Sequence, residues 1–293
     1  MTIKEQVREF YDQIGWQEVS DGVYQNARYE DLRPVSREYI HNCHLRVNRH
    51  LAPTGKLLLD AGSGPIQYPE YLTYSEGYDY RVCADISIQA LIEARKRIGA
   101  RGLFVVADVA NLPFADDVFD GTVSLHTIHH LPLSEHPQAY GELYRTLRPE
   151  RTAVVVNGWS NPPLGAALSR LMQFTLRVKG IVIHRILRRP RVEKPINPAQ
   201  AAQRPGETKS TFTAKNNAAW LKRSIGSQMP LEILVWRSVS VKVMRTFIHA
   251  HWGGRAILRA LFWLEERFPR WFGENGQYPL VVITKSGLIT ALF

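Results

Sequence analysis

The sequence predicts an α/β fold built on a doubly wound parallel sheet, and three observations carry that expectation. The run Lys56–Gln67, KLLLDAGSGPIQ, is an apolar strand that ends in an acid and breaks into a glycine-rich turn. Two further apolar runs, Val82–Ala84 and Leu103–Ala107, each deliver an acid, Asp85 and Asp108, to the same sheet edge. Segments of helical periodicity such as Ala90–Ile98 lie between them, so strand and helix alternate as a covered parallel sheet requires.

Taken in order, Ile3, Val7, Phe10, Tyr11 and Ile14 recur at helical spacing and predict an N-terminal helix that caps a crevice. Pro34–Leu51 is a second helical segment, and Ala52 to Gly55 turn the chain into the first strand. Leu57, Leu58 and Leu59 show no alternation, which suits a strand buried on both faces. Gly62 and Gly64 let a ligand approach the backbone closely, and Tyr68–Leu72 starts the next helix. The natural guest of such a crevice is a nucleotide-like cofactor. Asp85, some twenty residues past the glycines, is placed to accept both hydroxyl hydrogens of a ribose, and its alternative role is a helix N-cap. An NAD-dependent oxidoreductase shares this glycine turn and acid.

The segment that follows, ADVANLPFADDVFDGTVSLHTIHHLP, adds a loop and a fourth strand, Thr122–Leu125. With it, Lys56–Trp159 resembles the class I S-adenosylmethionine-dependent methyltransferase family, in the branch that includes small-molecule and quinone methyltransferases. The resemblance implies a Rossmann-like seven-stranded sheet, mostly parallel with an antiparallel last strand, and a helical lid. It implies that Asp60, Ala61, Gly62, Ser63 and Gly64 surround the methionine part of S-adenosylmethionine, and that Asp85 and Ile86 meet its ribose. Asp108 would accept from the adenine amino group, with Val109 beside the ring, while Leu125 and His126 stand at the edge shared with the substrate. It also places Tyr11, Tyr24 or Tyr29 of the lid near the substrate. Two departures fall in loops: Pro65 replaces the family's third glycine, and Arg148-Pro149-Glu150 stands where lysine-proline-glycine is usual.

At 293 residues with 45% hydrophobic content, the chain can bury a sizeable core as one elaborated domain. Cys43 and Cys83 lie in unrelated contexts, which favours buried thiols in a reducing compartment over a disulfide. The charged N-terminus and the lack of a long apolar window predict a cytoplasmic protein, or one peripheral at the inner face of a membrane. Charge is uneven: residues 1–150 hold 15 Lys and Arg against 21 Asp and Glu, net −6, whereas residues 151–293 are net +16. The basic half points to an anionic surface or substrate, lipid headgroups or nucleic acid.

Ser134–Leu147 is the helix after strand four, and Thr152–Asn157 is strand five. An insertion follows. Leu164–Arg191 mixes apolar residues with seven Arg and Lys and no acid, the composition of a basic amphipathic helix pair that lies in a lipid interface or packs as a lid. Glu193–Ser210 reads as a loop. Asn216–Met229 is then a helix, Leu231–Met244 a strand pair or one long strand, Arg255–Phe272 an inserted helix with Trp252, Trp263 and Trp271 around it, and Tyr278–Thr284 the final strand. The expected organisation is therefore a cap at 1–55, a cofactor-binding core at 56–159, the insertion at 160–215 and completion of the sheet at 216–293.

His126, His129 and His130 lack the companions of a metal site, and no metal is expected. A base is required only if the acceptor must lose a proton, and His126 and His129 are then the catalytic candidates. Arginines alternating with Leu, Ile and Phe favour a lipophilic small-molecule acceptor over nucleic acid. The competing readings are an RNA methyltransferase, the NAD enzyme, and a non-catalytic lipid-binding scaffold of the same fold.

Overall fold

The computed structural model describes residues 1–16, 18–20, 23–24, 30–173 and 211–287. An N-terminal helix, Ile3–Phe10, begins with a capping box in which the Thr2 hydroxyl accepts from the Glu5 amide and the Glu5 carboxylate accepts from the Thr2 amide. It continues into a π turn, Tyr11–Gly15, and a small antiparallel pair, β1 (Glu18–Ser20) and β2 (Val23–Tyr24). Helix Arg37–Leu45 and a 3₁₀ turn Arg46–His50 lead into the main sheet.

That sheet holds seven strands: β3 (Gly55–Ala61), β4 (Tyr78–Asp85), β5 (Gly102–Val106), β6 (Gly121–Leu125), β7 (Thr152–Val156), β8 (Leu231–Arg237) and β9 (Tyr278–Thr284). Their spatial order is β5-β4-β3-β6-β7-β9-β8, with β9 antiparallel to both neighbours and the remaining pairs parallel. This is the Rossmann-like sheet expected from the sequence. The order reverses between β3 and β6, and an α/β sheet opens its ligand crevice at such a switch point. Successive residues of β3 explain the unbroken leucine run, because Leu58 packs in one core cluster with Val123 and Val154 while Leu59 packs in the other with Val82 and Val155. Both faces are buried.

Some local expectations change. Residues after the glycine turn form a 3₁₀ helix, Pro69–Ser75, rather than an α-helix. The segment Leu231–Met244 is strand only to Arg237. The Ser240 hydroxyl then accepts from the Val243 amide and starts a helix, Val241–Phe247, whose Val243 and Met244 pack against Val35 and Ile40. The helix expected at Asn216–Met229 is confined to Ala218–Ser224. Arg255–Phe272 divides into helices Gly254–Arg267 and Pro269–Asn275. The first ten residues of Leu164–Arg191 lie in a helix over 163–173, with Leu168 and Met172 turned to the protein. The rest of that segment, all of Glu193–Ser210 and Tyr29 lie outside the described residues. Cys43 and Cys83 are buried free thiols. Among the described residues, no helix is long and apolar enough to cross a membrane.

Candidate active site

A cavity of about 470 Å³ opens at the C-terminal ends of β3, β4, β5 and β6. Its floor begins with the glycine turn. Gly62 sits at φ +75° and Gly64 at φ +55°, in the left-handed region, and a Cβ on Gly62 would lie 2.2 Å from the Thr127 hydroxyl. The Gly64 amide donates to Asp85 Oδ2 at 2.8 Å and the Ser87 amide to Oδ1 at 2.8 Å, so each oxygen keeps lone pairs for a ligand. Burial pushes the Asp85 carboxyl up to about 6, with those two amides pulling the other way.

The neighbouring acids are held differently. Asp60 Oδ2 accepts from Arg81 at 2.5 and 3.1 Å, and Arg81, itself buried, also donates to the Tyr71 carbonyl at 2.5 Å. Asp108 Oδ1 accepts from the Ala110 amide at 2.9 Å, while its Oδ2 is paired with Lys4 of the N-terminal helix, which also reaches Glu135. Of the residues named from the sequence for cofactor or catalysis, Ala61 stands apart: it is fully buried in the core with Leu59 and Val82. All the others border the cavity.

The N-terminal segment closes one side. Ser87 Oγ donates to Asp12 at 2.5 Å, and Trp16 stacks on Tyr11 and lies over Gly64. Tyr11 borders the cavity, as the resemblance implied for a lid tyrosine, whereas the Tyr24 side chain is outside the described set. Tyr11 Oη is 2.8 Å from His130 Nε2, and His130 Nδ1 is 2.8 Å from the Phe212 carbonyl. A carbonyl can only accept, so Nδ1 carries the proton and Nε2 accepts from the tyrosine. Both nitrogens of His130 are committed.

His129 is placed otherwise. Its Nδ1 lies 3.2 Å from Asn157 Oδ1, so Nδ1–H donates and Nε2 keeps a free lone pair. Burial, then the neighbouring His130 and His126, holds His129 well below the usual imidazole range. His126 follows β6 at φ +58° with its amide bonded to the Val156 carbonyl at 2.7 Å, and its ring meets Trp236 and Tyr278 edge to face. Burial, then Arg237, lowers His126 to about 3. All three imidazoles are neutral near pH 7.

Sequence reasoning missed the charged wall opposite the glycine turn. Glu30 and Arg237 border the cavity and form a buried ion pair, with His44 Nε2 3.9 Å from the second Glu30 oxygen. Burial would raise the Glu30 carboxyl, but Arg237 and His44 outweigh it and hold it at about 2. Lys215 stands at the rim. A lone arginine in the apolar run LEILVWRSVSV was the available signal, because a charge at the end of a buried strand demands a partner.

Residues 59–155 match the family described as methyltransferase domain. Over those residues the chain carries a methyltransferase domain. Among curated relatives, the protein named methyltransferase GfsG of Streptomyces halstedii is 33% identical over 100 residues, 32% of this chain and 35% of that one. Sterol methyltransferase-like 1 of Botryococcus braunii is 26% identical over 166 residues, 53% of this chain and 41% of that one. The chain thus spans well under half the length of these relatives. Among solved structures, geranyl diphosphate C-methyltransferase of Streptomyces coelicolor shares the fold at TM-score 0.54 and 14% identity, over 97% of this chain and 98% of that one. S-adenosylmethionine is the cofactor of methyltransferases with this domain, and the cavity fits it. A glycine cradle that excludes Cβ atoms lies beside a buried carboxylate whose outward lone pairs suit a ribose.

Proposed function

We propose that this methyltransferase acts on a small lipophilic acceptor, which it reaches from an anionic lipid surface. One observation carries the reading: the acid-lined glycine edge and a wall of neutral imidazoles and aromatic rings face into the same cavity. S-adenosylmethionine, when bound, supplies an electrophilic methyl group on a sulfonium. Asp60, Gly62, Ser63 and Gly64 hold the methionine end, Asp85 and Ile86 the ribose, and Asp108 and Val109 the adenine. Leu125 and His126 line the junction of the two halves. Alignment in this enclosure accounts for much of the rate. His129 Nε2 accepts a hydrogen bond from the acceptor and takes its proton as the new bond forms, when the acceptor atom has become strongly acidic. His126, packed against Trp236 and Tyr278, fixes the shape of that wall. Tyr68 and Tyr71, also on the cavity, offer apolar ring surface to a hydrocarbon tail. The sterol and geranyl diphosphate named for two relatives support a lipophilic acceptor.

Calorimetric titration tests the cofactor half. Wild type should bind S-adenosylmethionine, and Asp85→Ala should weaken it roughly ten- to a hundredfold through loss of a charge-assisted hydrogen bond. Binding of NAD without a response to S-adenosylmethionine would overturn the reading. For the acceptor half, the enzyme is incubated with isotopically methyl-labelled cofactor and either total lipid extract or total RNA. Label is expected in lipid; label confined to RNA would reverse the acceptor class.

A further inference from the structure

The acceptor half of the cavity holds more positive charge than its own structure consumes. Arg237, at the end of β8, is 2% exposed, and its Nη1 is paired with Glu30. Its guanidinium carbon lies 4.6 Å from the centre of the Tyr278 ring, and its Nε–H has no hydrogen-bond partner among the described residues. A buried donor left unmade is costly, and the guanidinium that carries it borders the cavity. Lys215 is exposed at the rim and meets no acid among the described residues. A Cβ placed on Gly158 would meet Lys215 Nζ at 3.3 Å and Tyr278 Cε1 at 3.5 Å, so Lys215 lies in the neighbourhood of the tyrosine that Arg237 covers.

Among the described residues, the other charges facing this half are already spent. Glu30 is paired with Arg237, Lys4 with Asp108 and Glu135, and the three imidazoles are neutral. Lys215 is left uncompensated, and the methyl donor adds one net positive charge of its own. We infer that the acceptor binds as an anion, its carboxylate or phosphate monoester received by the Arg237 guanidinium and the Lys215 ammonium. Arginine offers a fixed planar donor and lysine a mobile point charge, a combination that suits an acidic head with several oxygens. An acidic head with an apolar tail is an amphiphile, and the aromatic wall of Tyr68 and Tyr71 takes the tail. The inference rests on the methyltransferase reading for what happens at the far end of the cavity, and on the two cations alone for the anion.

Octanoate, octyl phosphate and 1-octanol, each below its micellar range, are titrated into the protein with and without S-adenosylhomocysteine. At least one anion should bind ten or more times tighter than the alcohol, and the stronger of the two identifies carboxylate or phosphate as the natural head. Lys215→Gln, at an exposed position, should cost the anions five- to tenfold and leave octanol unchanged. Arg237→Lys keeps a cation opposite Glu30 but removes the Nε–H, and it should lower anion affinity with the circular dichroism of wild type retained. Equal binding of all three probes, or an unchanged anion affinity in Lys215→Gln, would overturn the assignment. Failure to bind S-adenosylhomocysteine with anion preference intact would refute the methyltransferase reading and leave the anion site standing.

Discussion

His126 shows how much one residue of this site costs and what it secures. It is held at φ +58°, a conformation uncommon outside glycine although Asn, Asp and His adopt it more readily than other residues, and it is buried beside Trp236 and Tyr278. Its pKa falls from the ordinary 6.5 to about 3 in the folded protein, so the unfolded chain binds the extra proton between those values. Its stabilising contribution is complete above pH 6.5 and is lost as pH falls, by up to about 1.4 kcal/mol per pH unit. Burial likewise lowers His130, to about 4, and His129. His126→Asn, which tolerates the backbone conformation, should therefore reduce the loss of stability between pH 7 and pH 5 by close to one proton's share. Urea midpoints at the two pH values measure this, and an unchanged difference would refute it. The acids at the strand ends were legible in the sequence because each terminates an apolar run. Glu30, Arg237 and Lys215 were not, because they come from three distant segments and no local spacing connects them.

At the scale of elements, the turn before β7 records a departure that the structure makes physical. Glu150 stands where the methyltransferases that the sequence resembles use glycine, and it adopts φ +62°, with its amide donating to the Lys285 carbonyl at 2.8 Å. A left-handed conformation costs an L residue roughly 1–2 kcal/mol, part of which glycine gives back in chain entropy. Glu150→Gly should thus stabilise the protein by about 1 kcal/mol with cofactor affinity unchanged, as chemical denaturation and titration would show. A destabilised variant would mean that the Glu150 side chain does more than the backbone argument allows. Strand elements from β3 to β7 were readable because their apolar runs are closed by acids or turn residues. The stretch after β8 was not: VSVKVM has the β-branched content of a strand, yet the Ser240 cap and the burial of Val243 and Met244 decide for a helix.

Over the whole molecule, the basic half exposes three tryptophans. Trp252, Trp263 and Trp271 are 67%, 65% and 54% exposed, and Ile257 and the inter-helix residue Phe268 are about half exposed. Indole rings beside arginines suit the headgroup level of a bilayer. Vesicles of anionic lipid should therefore shift the intrinsic tryptophan fluorescence to the blue, and added salt should reverse the shift as it screens the charges. The same response to neutral vesicles, or none to either, would remove the lipid surface from the proposal. A different whole-molecule consequence comes from His130, whose two nitrogens join the Tyr11 hydroxyl to the Phe212 carbonyl. The beginning of the chain and the segment leading to Lys215 are thereby clamped by one ring over one cavity. Two walls of the cavity that are some two hundred residues apart in sequence are thus held together by two hydrogen bonds to one side chain, and neither wall can shift alone without breaking one of them.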